Sequence, residues 1–181
     1  MNNKQIIDNL FENRRPIQRR EEMLWLLDKM GKPKTIVEIG VQRGGTLKLW
    51  EQLGEVAIGI DKEDKIDWKY KGKVILIKGD SHKIETKQKL EKILNGRKID
   101  FLFQDADHSY EGARKDFKMY KDLVKGIICY ADIEHHPGRK DVGVDIFWEE
   151  IKKEYKTNQC IIPSSPDTKR IGCCGLGIIY V

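Results

Sequence analysis

The chain has 181 residues and a formal net charge of +5, with 39% hydrophobic and 35% charged residues. This length is enough for one domain with a hydrophobic core, and the composition excludes a disordered chain. No apolar run approaches the roughly 20 residues of a membrane-spanning helix, and residues 1–10 lack the pattern of a signal peptide. We therefore expect a single cytoplasmic domain without a membrane partner.

Strand and helix patterns alternate along the chain. Residues 1–30 end in an apolar stripe at helical spacing and are predicted to form an N-terminal helical cap. Short runs that are apolar on both faces, as is typical of buried strands, predict strands at 35–39, 56–60, 74–77, 99–103 and 126–130. Apolar residues three or four apart predict helices around 47–53, 90–94, 110–124 and 144–151, the third of them capped by Ser109.

Two further strands are predicted at residues 159–162 and 176–181. The connection at 163–172 is short, contains Pro and Ser, and has no helical pattern, which favours an antiparallel hairpin. The sequence thus predicts an α/β fold in which residues 34–181 form a mostly parallel, seven-stranded sheet. Its last strand is antiparallel, and helices cover both faces.

The cysteines and the one concentrated basic patch have no predicted chemical role. The cysteines are Cys129, Cys160, Cys173 and Cys174, and arginines cluster at Arg14, Arg15, Arg19 and Arg20. No cysteine pair has the spacing of zinc ligands, so we expect small apolar strand residues instead of a metal or disulfide site. The arginines could meet a phosphate, but such a patch is more often the solvated face of a helix.

An acidic residue follows or ends each of the first five predicted strands. These residues are Glu38, Asp61, Asp80, Asp105 and Asp132. In an open parallel sheet, ligands bind at the carboxyl ends of the strands, near the point where the strand order reverses. We therefore expect the acidic residues to lie along one edge of the sheet and to form the functional site.

The first two strand ends indicate an adenosine-type ligand. Gly40, Gly44 and Gly45 allow a tight turn before the next helix, although a glycine-rich turn alone is a weak signal. Asp61 lies 21 residues beyond Gly40, at the end of the next strand, where a carboxylate can bind ribose hydroxyls. Glu38 would repel a pyrophosphate but could serve a sulfonium or amino group, which favours S-adenosylmethionine over a nicotinamide cofactor.

The fourth and fifth strand ends indicate a cation and a base. Asp105 and Asp132 could together hold Mg²⁺, which binds few protein carboxylates and keeps several waters. Such a cation would lower the pKa of a substrate hydroxyl, and His108 could take its proton. For Asp107, a role in capping the following helix is the better interpretation.

Five segments together carry a family resemblance. They are residues 37–45, 59–61, 79–82, 105–112 and 143–151, and the Asp-x-Asp-His-Ser-Tyr-Glu run that begins at Asp105 is the most specific of them. The sequence resembles the class I S-adenosylmethionine-dependent methyltransferases, in the branch of cephalosporin hydroxylase-like proteins and macrolide-sugar O-methyltransferases. The resemblance covers roughly residues 34–181.

The resemblance implies a Rossmann-like fold, S-adenosylmethionine as cofactor, and methylation of a small hydroxylated acceptor. The expected cofactor-binding residues are Glu38, Gly40, Gly44, Asp61, Asp80, Ser81, Gln104 and Asp105. It also implies a Mg²⁺ site that includes Asp105, and His108 as general base. The acidic pair expected after the fifth strand is incomplete, because Ala131 precedes Asp132. Either Glu134, His135 or His136 supplies the missing ligand, or the metal site is weak.

Three alternatives remain from the sequence. A nicotinamide-dependent oxidoreductase would share the glycine turn and Asp61. A nucleic-acid methyltransferase would suit the basic charge, but no aromatic platform accompanies the arginines, so we do not expect nucleic acid as a partner. A cofactor-binding protein with weakened or lost chemistry would explain Ala131. The sequence leaves a homo-oligomer open.

Overall fold

The computed structural model describes residues 2–13, 18–70, 72–135, 139–162 and 175–181. The described helices are α1 (Asn3–Asn13), α2 (Arg20–Met30), α3 (Leu47–Leu53), α4 (Ile84–Leu94), α5 (Tyr110–Tyr120) and α6 (Val144–Ile151). The strands are β1 (Thr35–Ile39), β2 (Val56–Asp61), β3 (Val74–Lys78), β4 (Ile99–Gln104), β5 (Val124–Ala131), β6 (Thr157–Cys160) and β7 (Leu176–Tyr180). A 3₁₀ turn (Lys121–Leu123) joins α5 to β5.

The seven strands form one sheet in the order β3-β2-β1-β4-β5-β7-β6. Strands β1 to β5 are parallel, and β7 runs antiparallel between β5 and β6. This confirms the predicted sheet, its antiparallel last strand and the terminal hairpin. The strand predicted at residues 159–162 lies two residues earlier in the structure. Strand β6 spans Thr157–Cys160, and the apolar residues at 161–162 follow its end.

Helices cover both faces of the sheet because each strand sends alternate residues to opposite sides. On β4, Phe101 and Phe103 pack with α1, α2 and α3, whereas Leu102 packs with α4, α5 and α6. The largest side chains of these two cores are Trp50 on the first face and Trp148 on the second. The segment predicted as an N-terminal cap therefore supplies two helices that pack on the sheet.

The strand order reverses between β1 and β4, so the chain leaves these neighbouring strands in opposite directions. This reversal opens a crevice at their carboxyl ends, where an open α/β sheet binds its ligands. The backbone N–H of Asp105 donates to Ile39 O at 2.9 Å, which holds the loop after β4 against the end of β1.

The cysteines and arginines outside this crevice have ordinary surroundings. Cys129 is buried in β5 and Cys160 is partly buried in β6, both as free thiols. Arg20 pairs with Asp8 and the Arg19 guanidinium donates to the carbonyl of Ile162. Residues 14, 15, 136, 173 and 174 lie outside the described residues. No helix in the described ranges is long and apolar enough to span a bilayer.

Candidate functional site

The carboxyl ends of β1 to β4 surround a cavity of about 480 Å³ at the point where the strand order reverses. Five of the predicted site residues line it: Gly40, Asp61, Ser81, Asp105 and His108. The volume is in the range of small-molecule and cofactor sites. The structure thus brings residues from four separate strand ends to one cavity.

Gly40 is the point at which the loops after β1 and β4 touch. Its φ of +91° is in the left-handed region, and a Cβ at this position would lie 2.1 Å from the carbonyl oxygen of Asp105. Only glycine combines this backbone conformation with so close an approach. The turn after β1 therefore lies directly against the segment that carries Asp105.

Asp61 organises the same turn from the side of β2. Its Oδ2 accepts backbone N–H groups of Val41 at 2.9 Å and Gln42 at 2.8 Å, and its Oδ1 accepts the N–H of Glu63 at 3.0 Å. A carboxylate oxygen has two lone pairs, so Oδ1 retains capacity for a further donor. Because Asp61 also lines the cavity, it can bind a ligand hydroxyl there.

Glu38 lies beneath the cavity instead of lining it. The side chain is 0% exposed and one oxygen accepts a hydrogen bond from the Thr46 hydroxyl, while Oε2 has no hydrogen-bond partner among the described residues. Burial raises the pKa of Glu38 well above its usual value, and the charge of Asp105 adds to the effect. Glu38 is therefore a buried carboxyl group that the Thr46 hydroxyl orients.

Three other predicted cofactor residues also lie off the cavity wall. Gly44 packs under Trp68, whose Nε1 would be 2.9 Å from an added Cβ. Asp80 accepts the backbone N–H of His82 at 2.9 Å and lies 3.4 Å from the Lys62 ammonium. Gln104 is buried at the end of β4 and lines a smaller cavity behind the site. Ser81, by contrast, lines the main cavity.

The clearest chemical feature is the cluster of Asp105, His108 and Asp132. The His108 ring lies between the two carboxylates, with Nδ1 2.9 Å from Asp132 Oδ2 and Nε2 3.6 Å from Asp105 Oδ1. One ligand atom from each residue lies within 4.8 Å of the others, which is a spacing that could hold a metal ion. Asp132 has a φ of +59°, a strained conformation that is uncommon outside functional sites and turns.

Burial shifts the ionisation of this cluster. It raises the pKa of Asp105 to about 7; the Asp132 charge adds to the shift, and His108 and Gln18 oppose it. The hydrogen bond to Asp132 raises the pKa of His108, although burial of the ring opposes this. Titratable groups with such shifts, gathered in a cavity, are typical of functional sites.

Glu134 does not join this cluster. Its side chain is exposed, and its ligand atoms are not among those that converge in the described part of the chain. His135 is exposed too, with Nδ1 3.6 Å from Asp145 Oδ2. The third side chain beside Asp105 and Asp132 is therefore His108, which the sequence analysis had treated as a base only.

Ser109 caps α5, as predicted, and Asp107 stabilises the turn just before the cap. Its Oδ1 accepts the backbone N–H of Ser109 at 3.0 Å, and Ser109 Oγ accepts the N–H of Gly112 at 3.0 Å. Gly112 makes room for this cap, since an added Cβ would lie 2.3 Å from the Asp107 carboxyl carbon. This arrangement fixes the turn that carries both Asp105 and His108.

Two residues of the site were not predicted from the sequence. Gln18, only 3% exposed, donates from Nε2 to Asp105 Oδ2 at 2.7 Å, so the segment just before α2 reaches the site. His82 lines the cavity wall after β3. The glycine- and acid-containing run at 79–82 was a usable signal for His82, whereas Gln18 follows no motif.

Solved structures with the same fold are methyltransferases. An O-methyltransferase from Bacillus cereus in complex with SAH matches with a TM-score of 0.64 and 16% identity, over 98% of this chain and 90% of the other. An N-methyltransferase from Bradyrhizobium japonicum matches with a TM-score of 0.61 and 14% identity, over 93% and 98%. At these identities the likeness establishes the fold, which is the Rossmann-like fold of S-adenosylmethionine-dependent methyltransferases.

A third structure is the MycE methyltransferase of the mycinamycin biosynthetic pathway in complex with Mg and SAH. It matches with a TM-score of 0.60 and 15% identity over 97% of this chain, which spans only 53% of that protein. No protein-family model and no curated protein matches the sequence.

Proposed function

We propose that this protein is an S-adenosylmethionine-dependent methyltransferase that methylates a hydroxyl group of a small molecule with the help of a divalent cation. The observation that carries the proposal is one cavity with two kinds of wall. Gly40 and Asp61 form the part suited to an adenosyl group. Asp105 and His108 form the part suited to proton and cation chemistry, with Asp132 against the His108 ring.

The residues fit an adenosyl cofactor. Gly40 lines the cavity where the turn after β1 lies against the backbone of Asp105, and Asp61 retains acceptor capacity at Oδ1 for a ribose hydroxyl. The buried carboxyl of Glu38 lies below the turn and would act through Thr46 and the backbone, without touching the cofactor itself. Likeness to SAH complexes supports the same cofactor.

The residues also fit a divalent cation. Asp105 and Asp132 would hold it, because carboxylate oxygens are the ligands that Mg²⁺ prefers and few are needed. The Mg in the MycE complex is consistent with such a site. When bound, S-adenosylmethionine supplies an electrophilic methyl group, and the cation lowers the pKa of the hydroxyl that it binds.

His108 accepts the proton that the hydroxyl loses when its oxygen takes the methyl group. The hydrogen bond with Asp132 keeps the ring proton on Nδ1, so Nε2 carries the lone pair in the neutral imidazole. Nε2 is also the ring nitrogen nearer Asp105, which places the base beside one expected cation ligand. Activity therefore requires neutral His108 and an ionised Asp105.

The test is methyl transfer from labelled S-adenosylmethionine to a panel of hydroxylated small molecules, with Mg²⁺ and with a chelator. We expect Mg²⁺-dependent transfer, and we expect Asp105→Ala to abolish turnover while leaving SAH binding largely intact. Asp122→Asn, a carboxylate substitution in the 3₁₀ turn outside the cavity, is the control. Equal turnover in Asp105→Ala would contradict the cation role.

Cofactor identity is tested separately by thermal unfolding. A ligand that binds only the folded state stabilises that state by about 2.7 kcal/mol at a hundredfold excess over Kd, and it therefore raises the melting temperature. We expect SAH to raise it and NAD not to. A shift with NAD alone would favour an oxidoreductase, and SAH binding without transfer to any acceptor would favour a cofactor-binding protein.

A further inference from the structure

The two oxygens of the Asp105 carboxylate have different surroundings. Oδ2 accepts a hydrogen bond from the side-chain amide of Gln18 at 2.7 Å, whereas Oδ1 is the oxygen nearer His108, with 3.6 Å between it and Nε2. The second distance is longer than a hydrogen bond. The Gln18 amide therefore occupies one side of the carboxylate and leaves Oδ1 on the side of His108.

The packing of α2 holds Gln18 in this place. Gln18 directly precedes the helix by one residue, Arg19, and is only 3% exposed. The backbone N–H of Arg19 donates to Glu22 Oε2 at 3.0 Å, which stabilises the first turn, and Met23 and Leu26 bury the same helix in the core. Because a buried amide has few alternative positions, we expect its hydrogen bond to Asp105 to persist when a ligand enters the cavity.

This hydrogen bond limits how Asp105 can bind a cation. The positive end of the Gln18 N–H dipole points at Oδ2, so it opposes a cation that approaches both carboxylate oxygens at once. Mg²⁺ is small, requires near-ideal octahedral geometry and is held by few carboxylates. Ca²⁺ is larger, takes more oxygen ligands and accepts both oxygens of one carboxylate. A carboxylate restricted to one oxygen thus suits Mg²⁺ better than Ca²⁺.

We propose that Gln18 restricts Asp105 to one ligand oxygen and thereby makes the site prefer Mg²⁺ to Ca²⁺. The inference rests on the proposed function for the presence of a divalent cation, and it adds the residue that determines which cation binds. Gln18 is a positioning residue, because it acts through Asp105.

The experiment is calorimetric titration of the full chain, in the presence of SAH, with MgCl₂ and separately with CaCl₂. Gln18→Met keeps the length of the side chain and removes the donor. We expect it to weaken Mg²⁺ binding about tenfold, as is typical when the partner of a metal ligand is removed, and not to weaken Ca²⁺ binding. The preference for Mg²⁺ should then fall about tenfold.

The matched control is Gln88→Met, the same substitution at an exposed position of α4 outside the cavity. It should leave both affinities unchanged. Gln18→Asn is the second variant, because it keeps the amide but is one methylene too short to reach Asp105. It should lower the preference for Mg²⁺ as Gln18→Met does, and it decides alone if Gln18→Met does not fold. Circular dichroism checks the folding of each variant.

The ratio of the two affinities separates this role from a merely structural one, since a loosened site would weaken both cations by a similar factor. Equal losses for Mg²⁺ and Ca²⁺, or no loss, in Gln18→Met would overturn the inference while the proposed function stands. An unchanged ratio in Gln18→Asn would overturn it as well. If the unsubstituted protein binds SAH but neither cation, the cation role in the proposed function fails, and this inference fails with it.

Discussion

His108 Nδ1 lies 2.9 Å from Asp132 Oδ2, so the turn that starts α5 is tied to the end of β5 by a charged hydrogen bond. The contact joins two segments that α5 and β5 separate in the chain. The other ring nitrogen, Nε2, lies 3.6 Å from Asp105 Oδ1. The geometry of the proposed base therefore depends on a carboxylate that the proposed cation also needs.

Substitution of Asp132 should lower the pKa of His108. The hydrogen bond to the carboxylate is the main cause that raises this pKa, and an amide stabilises the imidazolium much less. We expect His108 to titrate above 6.5 in the unsubstituted protein and lower in Asp132→Asn. The measurement is the NMR titration of the His108 ring protons in both proteins. An unchanged His108 midpoint would contradict the assignment.

The stability of the cation-free protein should fall as pH rises toward neutrality. Burial raises the pKa of Asp105 from 3.8 to about 7, so between these values the folded state binds more protons than the unfolded state. Stability then decreases with pH, by up to about 4 kcal/mol over this window, since one pKa unit is about 1.36 kcal/mol.

Asp105→Asn should flatten this pH dependence, because the amide does not titrate. The measurement is chemical denaturation from pH 4 to pH 7 in the presence of a chelator. Mg²⁺ should reduce the slope as well if it binds the ionised carboxylate. An equally steep profile in Asp105→Asn would show that another group is responsible.

Gly40→Ala should be far more destabilising than Gly31→Ala. Both glycines have a positive φ, +91° and +66°, so both substitutions incur backbone strain. Only at Gly40 does an added Cβ meet other atoms, with Asp105 O at 2.1 Å, whereas nothing lies within 4 Å at Gly31. We expect Gly40→Ala to lower the free energy of unfolding by at least about 2 kcal/mol more than Gly31→Ala does. Similar losses, measured by denaturation, would contradict the close contact.

Much of the fold follows from the sequence because its strands are buried on both faces. Runs such as 35–39 and 99–103 carry apolar residues on both faces of a strand within five residues, and their ends then define one edge of the sheet. The bounds of strand β6 could not be predicted from this pattern. It lies at the exposed edge of the sheet, so polar residues such as Asn158 and Gln159 carry no strand pattern.

The site was harder to predict at the level of single side chains. Sequence order places Asp61 and Asp105 at strand ends, and both line the cavity. It does not reveal that Glu38 points into the core, because that depends on the face of β1 it occupies and on Thr46. Nor does it reveal Gln18, which is 87 residues from Asp105 in the chain and reaches it only through the packing of α2.

Gln104→Met should stabilise the protein. Gln104 is 3% exposed, and neither Oε1 nor Nε2 has a hydrogen-bond partner among the described residues. A buried amide without partners costs about 1–3 kcal/mol, and methionine has a similar length without that cost. The contrasting control is Gln159→Met, which should destabilise because Gln159 Oε1 accepts the buried Trp148 Nε1–H at 2.7 Å. We expect the melting temperatures of the two variants to move in opposite directions. A lower melting temperature for Gln104→Met would show that its amide gains more from its surroundings than it loses by burial.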